Sequence, residues 1–430
     1  MKNQLESYFD RLFPLNRSLT GSGVRDTFAI LQELVPFTLT EVPSGTRVLD
    51  WTVPQEWEVT EAYILTPDGR RIADFNDHNL HLVGYSIPFE GTLTYAELVP
   101  HLHTRPDSPE VIPYVTSYYT PRWGFCLPHS LLETLPQEGL YEVVVRTRLF
   151  DGSMTVGEAV LPGTSEQEVL FTSYCCHPSM ANNELSGILA LAFLYRQIQA
   201  LPERKYTYRF YLAPETIGAL YYLSQRGTQL QRSLLGGAVL TCCGDRGPVT
   251  FKHSRTPGYF DRRVATVLAQ RGEAFVEQAY FPMGSDERQY GSPGYLLPMV
   301  CLSRTQYGQY PEYHTSADAK DAMDFDALAD YITLLYEVVQ TIEADVFYRN
   351  LKPYGEPQLG KRGLYPTLMD TTQRSASLKR LLYVLNYSDG THSLQDLSEL
   401  TGFPVASFAS ELELLQLHEL LEKTDYVFPS

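Results

Sequence analysis

Long apolar runs are missing from the 430-residue sequence, and its mean hydropathy is −0.21. A helix that spans a membrane needs about 20 consecutive, predominantly apolar residues, so we expect none here. Residues 1–16 interrupt their apolar positions with Glu6, Asp10 and Arg11, a pattern unlike that of a signal peptide. We therefore expect a cytoplasmic protein with no membrane partner.

Basic charge and cysteine motifs are also scarce. The chain has 34 Lys and Arg residues against 51 Asp and Glu residues, a formal charge of −17, so we expect no nucleic-acid partner. The six cysteines include two adjacent pairs, at 175–176 and 242–243, and show no C-x-x-C spacing. Buried thiols are therefore expected, rather than disulfides or a structural zinc site.

The hydrophobic pattern divides the chain into three predicted domains. Residues 46–160 contain short alternating runs between turn signals, which predict an inserted all-β domain. Residues 161–352 alternate strand and helix patterns. Together with the helical residues 1–45 they predict an α/β catalytic domain, with a mostly parallel sheet sandwiched by helices. Residues 372–430 run helix, turn, helix, turn, helix and short strand, which is the order of a winged helix.

Polar side chains follow several predicted strands, at the edge where parallel sheets bind their ligands. One loop supplies His177, Asn183 and Glu184, which are residue types able to coordinate a metal ion. The alternative is a histidine that ends its strand beside side chains that cap the next helix. Asp245 and His314 follow two further strands as candidate metal ligands, and their alternative role is hydrogen bonding within their own loops.

Four more residues are candidates for catalysis or substrate binding. Glu215 follows a strand and could act as a general base, or it could simply be favoured by the dipole of the helix that begins there. Asp286 and Glu287 lie in a charged loop that could bind an amine or could be a solvated turn. Tyr313 is a candidate for contact with the substrate. The sequence contains no GxSxG, P-loop or dinucleotide-binding motif that would indicate a different chemistry. The combination of histidines and carboxylates after the predicted strands therefore indicates a metal-assisted hydrolase.

Five segments resemble the motifs of a known family. They are CHPSMANNELSG (176–187), APETIG (213–218), GSDERQY (284–290), YPEYHTSAD (310–318) and YVTSYYTPRWGFC (114–126). They resemble a bacterial family of aminopeptidase-like proteins with an inserted β-domain and a C-terminal winged helix. The core of that family is similar to zinc aminopeptidases of the leucyl aminopeptidase type and to glutaminyl cyclase. The resemblance extends over nearly the whole chain.

The resemblance implies roles for three of the candidates. His177 matches the first metal-binding histidine, His314 matches the last one, and Glu215 matches the general base. It also implies hydrolysis of an N-terminal aminoacyl bond in a small peptide or aminoacyl compound, with Asp286 or Glu287 holding the free amine. Aminoacyl transfer or cyclisation on the same fold is one alternative, and a catalytically degenerate binding or regulatory protein is another.

Two positions depart from the aminopeptidase pattern. Asn183 stands where the aminopeptidases have an aspartate that bridges two zinc ions. Thr216 stands where they have a glutamate that binds the second ion. We therefore expect one Zn²⁺ ion rather than two, bound by the two histidines, with Asn183 or Glu184 completing the ligand set.

The last predicted helix, Val405–His418, contains no Lys or Arg and carries Glu411 and Glu413. A helix that reads DNA needs basic side chains, so we expect this module to bind no DNA. It is expected instead to pack on the catalytic domain or on a second copy of the chain, which would make a homo-oligomer. Its buried face is predicted from the apolar positions at helical spacing, Val405, Phe408, Leu412 and Leu415.

Overall fold

A computed structural model of the protein describes residues 1–364 and 373–428. The chain divides into two compact units, Met1–Val339 and a second one that begins at Gln340. The predicted domain limit at residue 372 lies outside the described residues, and the other predicted limits stay predictions. Within the described residues, no helix has both the length and the apolar character needed to cross a membrane.

The first unit is organised around an eight-stranded mixed sheet. Its strands are, in order across the sheet, Thr38–Pro43, Ser153–Leu161, Thr207–Ala213, Glu168–Tyr174, Leu234–Leu240, Met299–Ser303, Val249–Lys252 and Phe275–Gln278. The four strands from Thr207–Ala213 to Met299–Ser303 run parallel, and antiparallel pairs extend the sheet on both sides. The predicted α/β class with a mostly parallel sheet is confirmed.

The central strands are continuous apolar runs because both of their faces are covered. Every residue of Glu168–Tyr174 and of Leu234–Leu240 is buried. At Gly187, in the helix after Glu168–Tyr174, a Cβ atom would lie only 2.3 Å from the backbone oxygen of Leu240. The helix can therefore approach the sheet this closely only with glycine at that position. The α-helices that begin in this unit are Lys2–Leu12, Ser22–Leu31, Tyr95–Leu98, His129–Leu132, Ser186–Gln199, Ile217–Ser233, Tyr259–Arg271, Glu287–Tyr290 and Phe325–Ala344.

The inserted β-region contains a separate antiparallel sheet. Its strands are, in order across the sheet, Arg71–Ile72, Glu56–Leu65, Leu140–Phe150 and Phe89–Thr94. Two short ladders accompany it, Arg47–Val48 with Trp51–Thr52 and Leu102–His103 with Phe125–Cys126. Burial alternates along parts of these strands, at residues 61–65 and 140–143, as a period-two pattern predicts, whereas residues 143–145 are all buried.

The second unit has the element order of a winged helix. Its helices are Gln373–Tyr387, Leu394–Thr401 and Ala409–Leu417, and its strands are Phe347–Asn350, Asp389–Ser393 and Leu421–Thr424. Phe347–Asn350 is the central strand of that sheet. The sequence places the last helix from Val405, but Val405–Phe408 is a 3₁₀ turn. Val405 is also 38% exposed, so its predicted burial is wrong, because the 3₁₀ turn places it off the apolar face.

Candidate active site

The candidate residues follow the four parallel strands, where ligands bind in sheets of this kind. His177 comes three residues after Glu168–Tyr174, and Glu215 comes two residues after Thr207–Ala213. Asp245 lies beyond Leu234–Leu240. His314 lies in the loop between the strand that ends at Ser303 and the helix that begins at Phe325. The same edge of the sheet therefore supplies all of these loops.

A buried carboxylate holds the ring of His177. Its Nδ1 lies 3.0 Å from Glu184 Oε2, which also accepts hydrogen bonds from the backbone N–H groups of Cys176 and His177. Glu184 Oε1 pairs with Arg17 Nε at 2.5 Å, and neither side chain is exposed. Both oxygens of Glu184 are thus engaged, and His177 presents its Nε2. Metal-binding histidines usually donate their other ring N–H to such a carboxylate.

His314 lies beside His177. Their ring centroids are 5.4 Å apart, and Tyr114 from the β-insert lies 5.2 Å from each of them. The insert also holds the loop of His314, because the Tyr114 N–H donates to the His314 carbonyl at 2.9 Å. His314 Nε2 is buried and has no hydrogen-bond partner among the described residues.

The pKa values of the two histidines move in opposite directions. Burial lowers the pKa of His177, but the hydrogen bond and the charge of Glu184 raise it by more, so the net direction is upward. Burial, and then the charge of His177, lower the pKa of His314 to about 3. His314 is therefore neutral at pH 7, the form in which an imidazole binds a metal ion.

Asn183 has a buried side chain with no internal partner. Its Oδ1 and Nδ2 atoms make no hydrogen bond to the described residues, and the residue is 1% exposed. Its backbone is fixed, because Asp318 accepts the N–H groups of Asn182 (2.7 Å) and Asn183 (2.9 Å). The local helix, Ala181–Leu185, is a π-turn, a form that is frequent at functional sites. A buried amide left unpaired is costly unless a ligand completes it.

Glu215 lies next to the histidines. Its Oε2 is 3.9 Å from His177 Nε2, and its side chain is 25% exposed. Burial raises the pKa of Glu215, against the lowering charges of His177 and Arg288, and the net direction is upward. A carboxylate with an elevated pKa is closer to the value that suits proton transfer near neutral pH.

The carboxylate of Asp245 accepts hydrogen bonds from neighbouring residues. It accepts hydrogen bonds from the N–H of Gly247 and from the N–H and hydroxyl of Thr305. It also accepts the side-chain amide of Asn182 at 2.8 Å. These four donors fit the alternative of loop hydrogen bonding better than a role as a metal ligand, and that ligand role stays a prediction.

Asp286 and Glu287 are likewise engaged. Glu287 pairs with Lys252 at 2.8 Å, and both side chains are completely buried. Asp286 accepts the N–H of Thr216 at 2.7 Å. Burial, and then the charge of Glu215, raise the pKa of Asp286 well above its usual range.

A cavity of about 370 Å³ adjoins Glu215. Aromatic side chains line much of it, namely Tyr174, Phe281, Tyr307 and Tyr313. Tyr313 stacks on His314 with ring centroids 4.0 Å apart, and its contact with a substrate stays a prediction. Asp286 and Glu287 are not among the lining residues.

Three residues in the loops of the site have left-handed backbone conformations, as do several residues elsewhere in the described part of the chain. Thr216, Cys242 and His314 have φ angles of 65°, 48° and 57°, a region that residues with a Cβ atom rarely adopt. Each costs on the order of 1–3 kcal/mol, and such conformations cluster at functional sites.

Four residues of the site escape sequence reasoning: Arg17, Tyr114, Arg288 and Asp318. Arg17 lies 167 positions from Glu184, so no local pattern connects the two. Tyr114 belongs to the aromatic run of the insert, which is a signal for a pocket but not for contact with the histidines. Arg288 and Asp318 lie inside the motifs GSDERQY and YPEYHTSAD. In those motifs the sequence pattern selects Asp286, Glu287 and His314 as candidates instead.

The donor set fits one metal ion. Two imidazoles bound to one tetrahedral Zn²⁺ at about 2.0–2.1 Å hold their ring centres about 5 Å apart, close to the spacing of His177 and His314. The unpartnered amide of Asn183, in the loop that carries His177, is a candidate third donor. Among the described residues, Cys176, His177 and Glu184 are the one group of three or more His, Cys, Asp or Glu residues whose ligand atoms all lie within 4.8 Å of one another. That group is less suited to the task, because burial raises the pKa of the Cys176 thiol well above its usual value.

Distant solved structures identify the fold as aminopeptidase-like. The zinc aminopeptidase BSAP from Bacillus subtilis matches with a TM-score of 0.57 and 11% identity, over 79% of this chain and 94% of that chain. A Peptidase M28 precursor from Shewanella amazonensis matches with a TM-score of 0.55 and 13% identity, over 80% of this chain and 92% of that one. At these identities the likeness shows the fold alone.

The chain belongs to the family described as "Domain of unknown function (DUF4910)", whose family model matches residues 7–345. A winged helix-turn-helix model matches residues 346–423. A Clostridium acetobutylicum protein named "Putative polysaccharide biosynthesis protein with aminopeptidase-like domain" is 41% identical over 420 residues, covering 97% of this chain and 96% of that protein. A crystal structure of a "putative peptidase" from C. acetobutylicum has a TM-score of 0.83 at 40% identity, over 98% of this chain and 96% of that one.

Proposed function

We propose that this protein is a zinc-dependent hydrolase of the aminopeptidase type, acting on an amide bond of a small peptide or aminoacyl compound. The observation that carries the proposal is the approach of His177 and His314 beside Glu215, together with a buried, unpartnered Asn183 amide six residues after His177 in the same loop. The aminopeptidase-like fold supports it, since the site occupies the edge of the sheet where such enzymes bind their ligands.

Within this proposal His177 Nε2, His314 Nε2 and Asn183 would hold a single Zn²⁺, and Glu184, which is paired with Arg17, would orient the ring of His177. Bound there, zinc would supply Lewis-acid polarisation of the substrate carbonyl and a more acidic water. Three protein ligands with an open fourth position are typical of catalytic rather than structural zinc sites.

The chain's own residues would handle the proton and the substrate. Glu215 takes the proton from the attacking water and returns it to the departing amine, from its position 3.9 Å from His177. Tyr174 and Tyr313 border the same cavity and would limit the access of bulk water. Tyr114 supports His314 through the hydrogen bond to its backbone carbonyl.

A binding protein on the same fold is the second candidate. It is favoured by the missing carboxylates, since Asn183 and Thr216 stand where the aminopeptidases have metal-binding acids. A neutral donor set binds zinc less strongly than one that contains carboxylate. Such a protein would bind its small molecule in the cavity without turning it over.

Hydrolysis of dipeptides and aminoacyl-anilides, measured before and after chelation and again after zinc is restored, tests the proposal. Chelation should abolish turnover and zinc should restore it. Glu215→Gln should keep its zinc and lose about 10² to 10⁴-fold in kcat. Glu133→Gln, at a carboxylate with 71% exposure, is the matched control and should retain full activity. Zinc-independent turnover, or none with any amide tried, would overturn the assignment.

A further inference from the structure

Arg288 is a cation at the cavity whose charge acts on Glu215 and Asp286 without forming a direct ion pair with an acidic residue in the described part of the chain. Its Nη2 donates to the Thr216 hydroxyl at 3.1 Å, and its buried Nε has no hydrogen-bond partner among the described residues. None of the ion pairs found among those residues includes it, although it lines the same cavity as Glu215. An unpaired, partly buried guanidinium is costly unless a ligand completes it.

The neighbouring acids each have one oxygen engaged, while Glu287 Oε2 is buried without a hydrogen-bond partner among the described residues. Glu287 is held by Lys252, and Asp286 accepts the N–H of Thr216. Neither of them lines the cavity. An amine that enters would therefore meet one anion, Glu215, which the proposed function reserves for proton transfer. An anion that enters would meet Arg288, whose planar fork matches a carboxylate in a bidentate arrangement.

We infer that the substrate carries a carboxylate that Arg288 binds, as in an N-acyl amino acid or a dipeptide with a free C-terminus. The inference rests on the proposed function for the bond that is cleaved, and it adds the chemical group by which the substrate is held. A phosphate ester fits less well, because Glu215 shares the cavity and repels a dianion more strongly than a monoanion. Gln306, Gln309 and the aromatic side chains supply neutral contacts for the rest of the molecule.

Calorimetric titration of chelator-treated protein with matched probes tests this binding without turnover. N-acetylglycine and N-acetylglycinamide differ only in whether a carboxylate or a neutral amide is present. We expect N-acetylglycine to bind at least about tenfold more tightly, the scale of hydrogen bonds to charged groups. Inorganic phosphate is the third probe and should bind more weakly than N-acetylglycine.

Variants assign the preference to Arg288. Arg288→Gln should abolish the preference for N-acetylglycine over N-acetylglycinamide. Arg288→Lys keeps the positive charge but loses the planar guanidinium, so it should retain part of that preference. Arg148→Gln, at an exposed arginine of the insert, should leave it unchanged. Equal binding of the two glycine probes by the wild-type protein, tighter binding of phosphate, or an unchanged preference in folded Arg288→Gln would each overturn the inference.

The two proposals fail separately. A carboxylate preference without zinc or hydrolysis would keep the role of Arg288 and reject the hydrolase. Zinc-dependent hydrolysis without a carboxylate preference would support the hydrolase and reject the role of Arg288.

Discussion

Two regions of the molecule are built around a buried Arg–Glu pair, and they differ in what lies beside it. Arg17 and Glu184 are fully buried at 2.5 Å. Arg380 and Glu411 form the corresponding pair of the winged helix at 2.8 Å, with side-chain exposures of 19% and 2%. The first pair continues into the ring of His177. In the second pair Glu411 instead joins the helices Gln373–Tyr387 and Ala409–Leu417 above an apolar core.

The comparison shows that a buried ion pair does not by itself indicate a functional site. Next to Arg17–Glu184, the side chains of Asn183 and His314 leave buried polar atoms without partners. Next to Arg380–Glu411, the neighbours are apolar residues such as Phe408 and Leu415, and the buried atom there without a hydrogen-bond partner among the described residues is Nε of Arg380 itself. Unpaired atoms on His and Asn, side chains that can bind a metal ion, distinguish the candidate site from the winged-helix pair, whereas the ion pair alone does not.

The largest expected effect is the loss of Arg17. Arg17→Met removes the cation bound to Glu184 Oε1, and breaking a buried ion pair typically costs about 3–5 kcal/mol of unfolding free energy. It should also weaken zinc binding, since Glu184 orients His177. Arg11→Met, which breaks an exposed pair with Glu33, is the control and should change little. Denaturant unfolding measures the free energy of unfolding of both variants. Similar losses in Arg17→Met and Arg11→Met would show that burial of the Arg17–Glu184 pair is unimportant.

The second prediction concerns zinc affinity. Asn183→Asp should raise it by about tenfold, the scale of changes around a metal's ligands, because an anionic oxygen binds Zn²⁺ better than an amide oxygen. The neighbouring Asn182→Asp is the matched control and should give no gain, since Asn182 already bonds to Asp245 and to the N–H of Gly244. A competitive zinc titration measures both variants. Equal affinities in wild type and Asn183→Asp would show that residue 183 is not a ligand.

Much of this architecture follows from the sequence, because local patterns determine it. The buried run of Glu168–Tyr174 and the polar loop after it predict both a central strand and a candidate site. The partners of the loop cannot be predicted in this way. Glu184 is a candidate ligand by its position in the sequence. In the structure it instead forms an ion pair with Arg17, which lies in the first loop of the chain. Lys252 engages Glu287 from a strand that the pattern does not reveal.

A smaller effect is expected from pH at the winged helix. Burial raises the pKa of Glu411, but hydrogen bonds from Arg380, Ser377 and Ser410 lower it by more, so its net direction is downward. Its contribution to stability is therefore complete above the unfolded pKa of about 4.3 and is lost as the pH falls through the lower, folded value.

Amide hydrogen exchange in Ala409–Leu417 reports that loss. Protection in the wild-type protein should fall below about pH 4.3. In Arg380→Met the protection should be lower already at pH 7 and should change less over the acid range. A steeper acid loss in Arg380→Met than in wild type would contradict this role of the pair.

The smallest expected effect is no effect at all. The helix Ala409–Leu417 and the turn before it carry no Lys or Arg, so generic duplex DNA should not bind even at low salt, where electrostatic binding is strongest. Mobility shift with micromolar protein is the measurement. A clear shift, lost when the second unit is removed, would assign the winged helix to nucleic acid instead.

Anomalous diffraction at the zinc absorption edge, from crystals of zinc-loaded protein, tests the central claim most directly. We expect one strong peak per chain, about 2.0–2.1 Å from both His177 Nε2 and His314 Nε2, with Asn183 beside it. No peak at the two histidines, or a peak centred on Cys176 and Glu184 instead, would contradict the account.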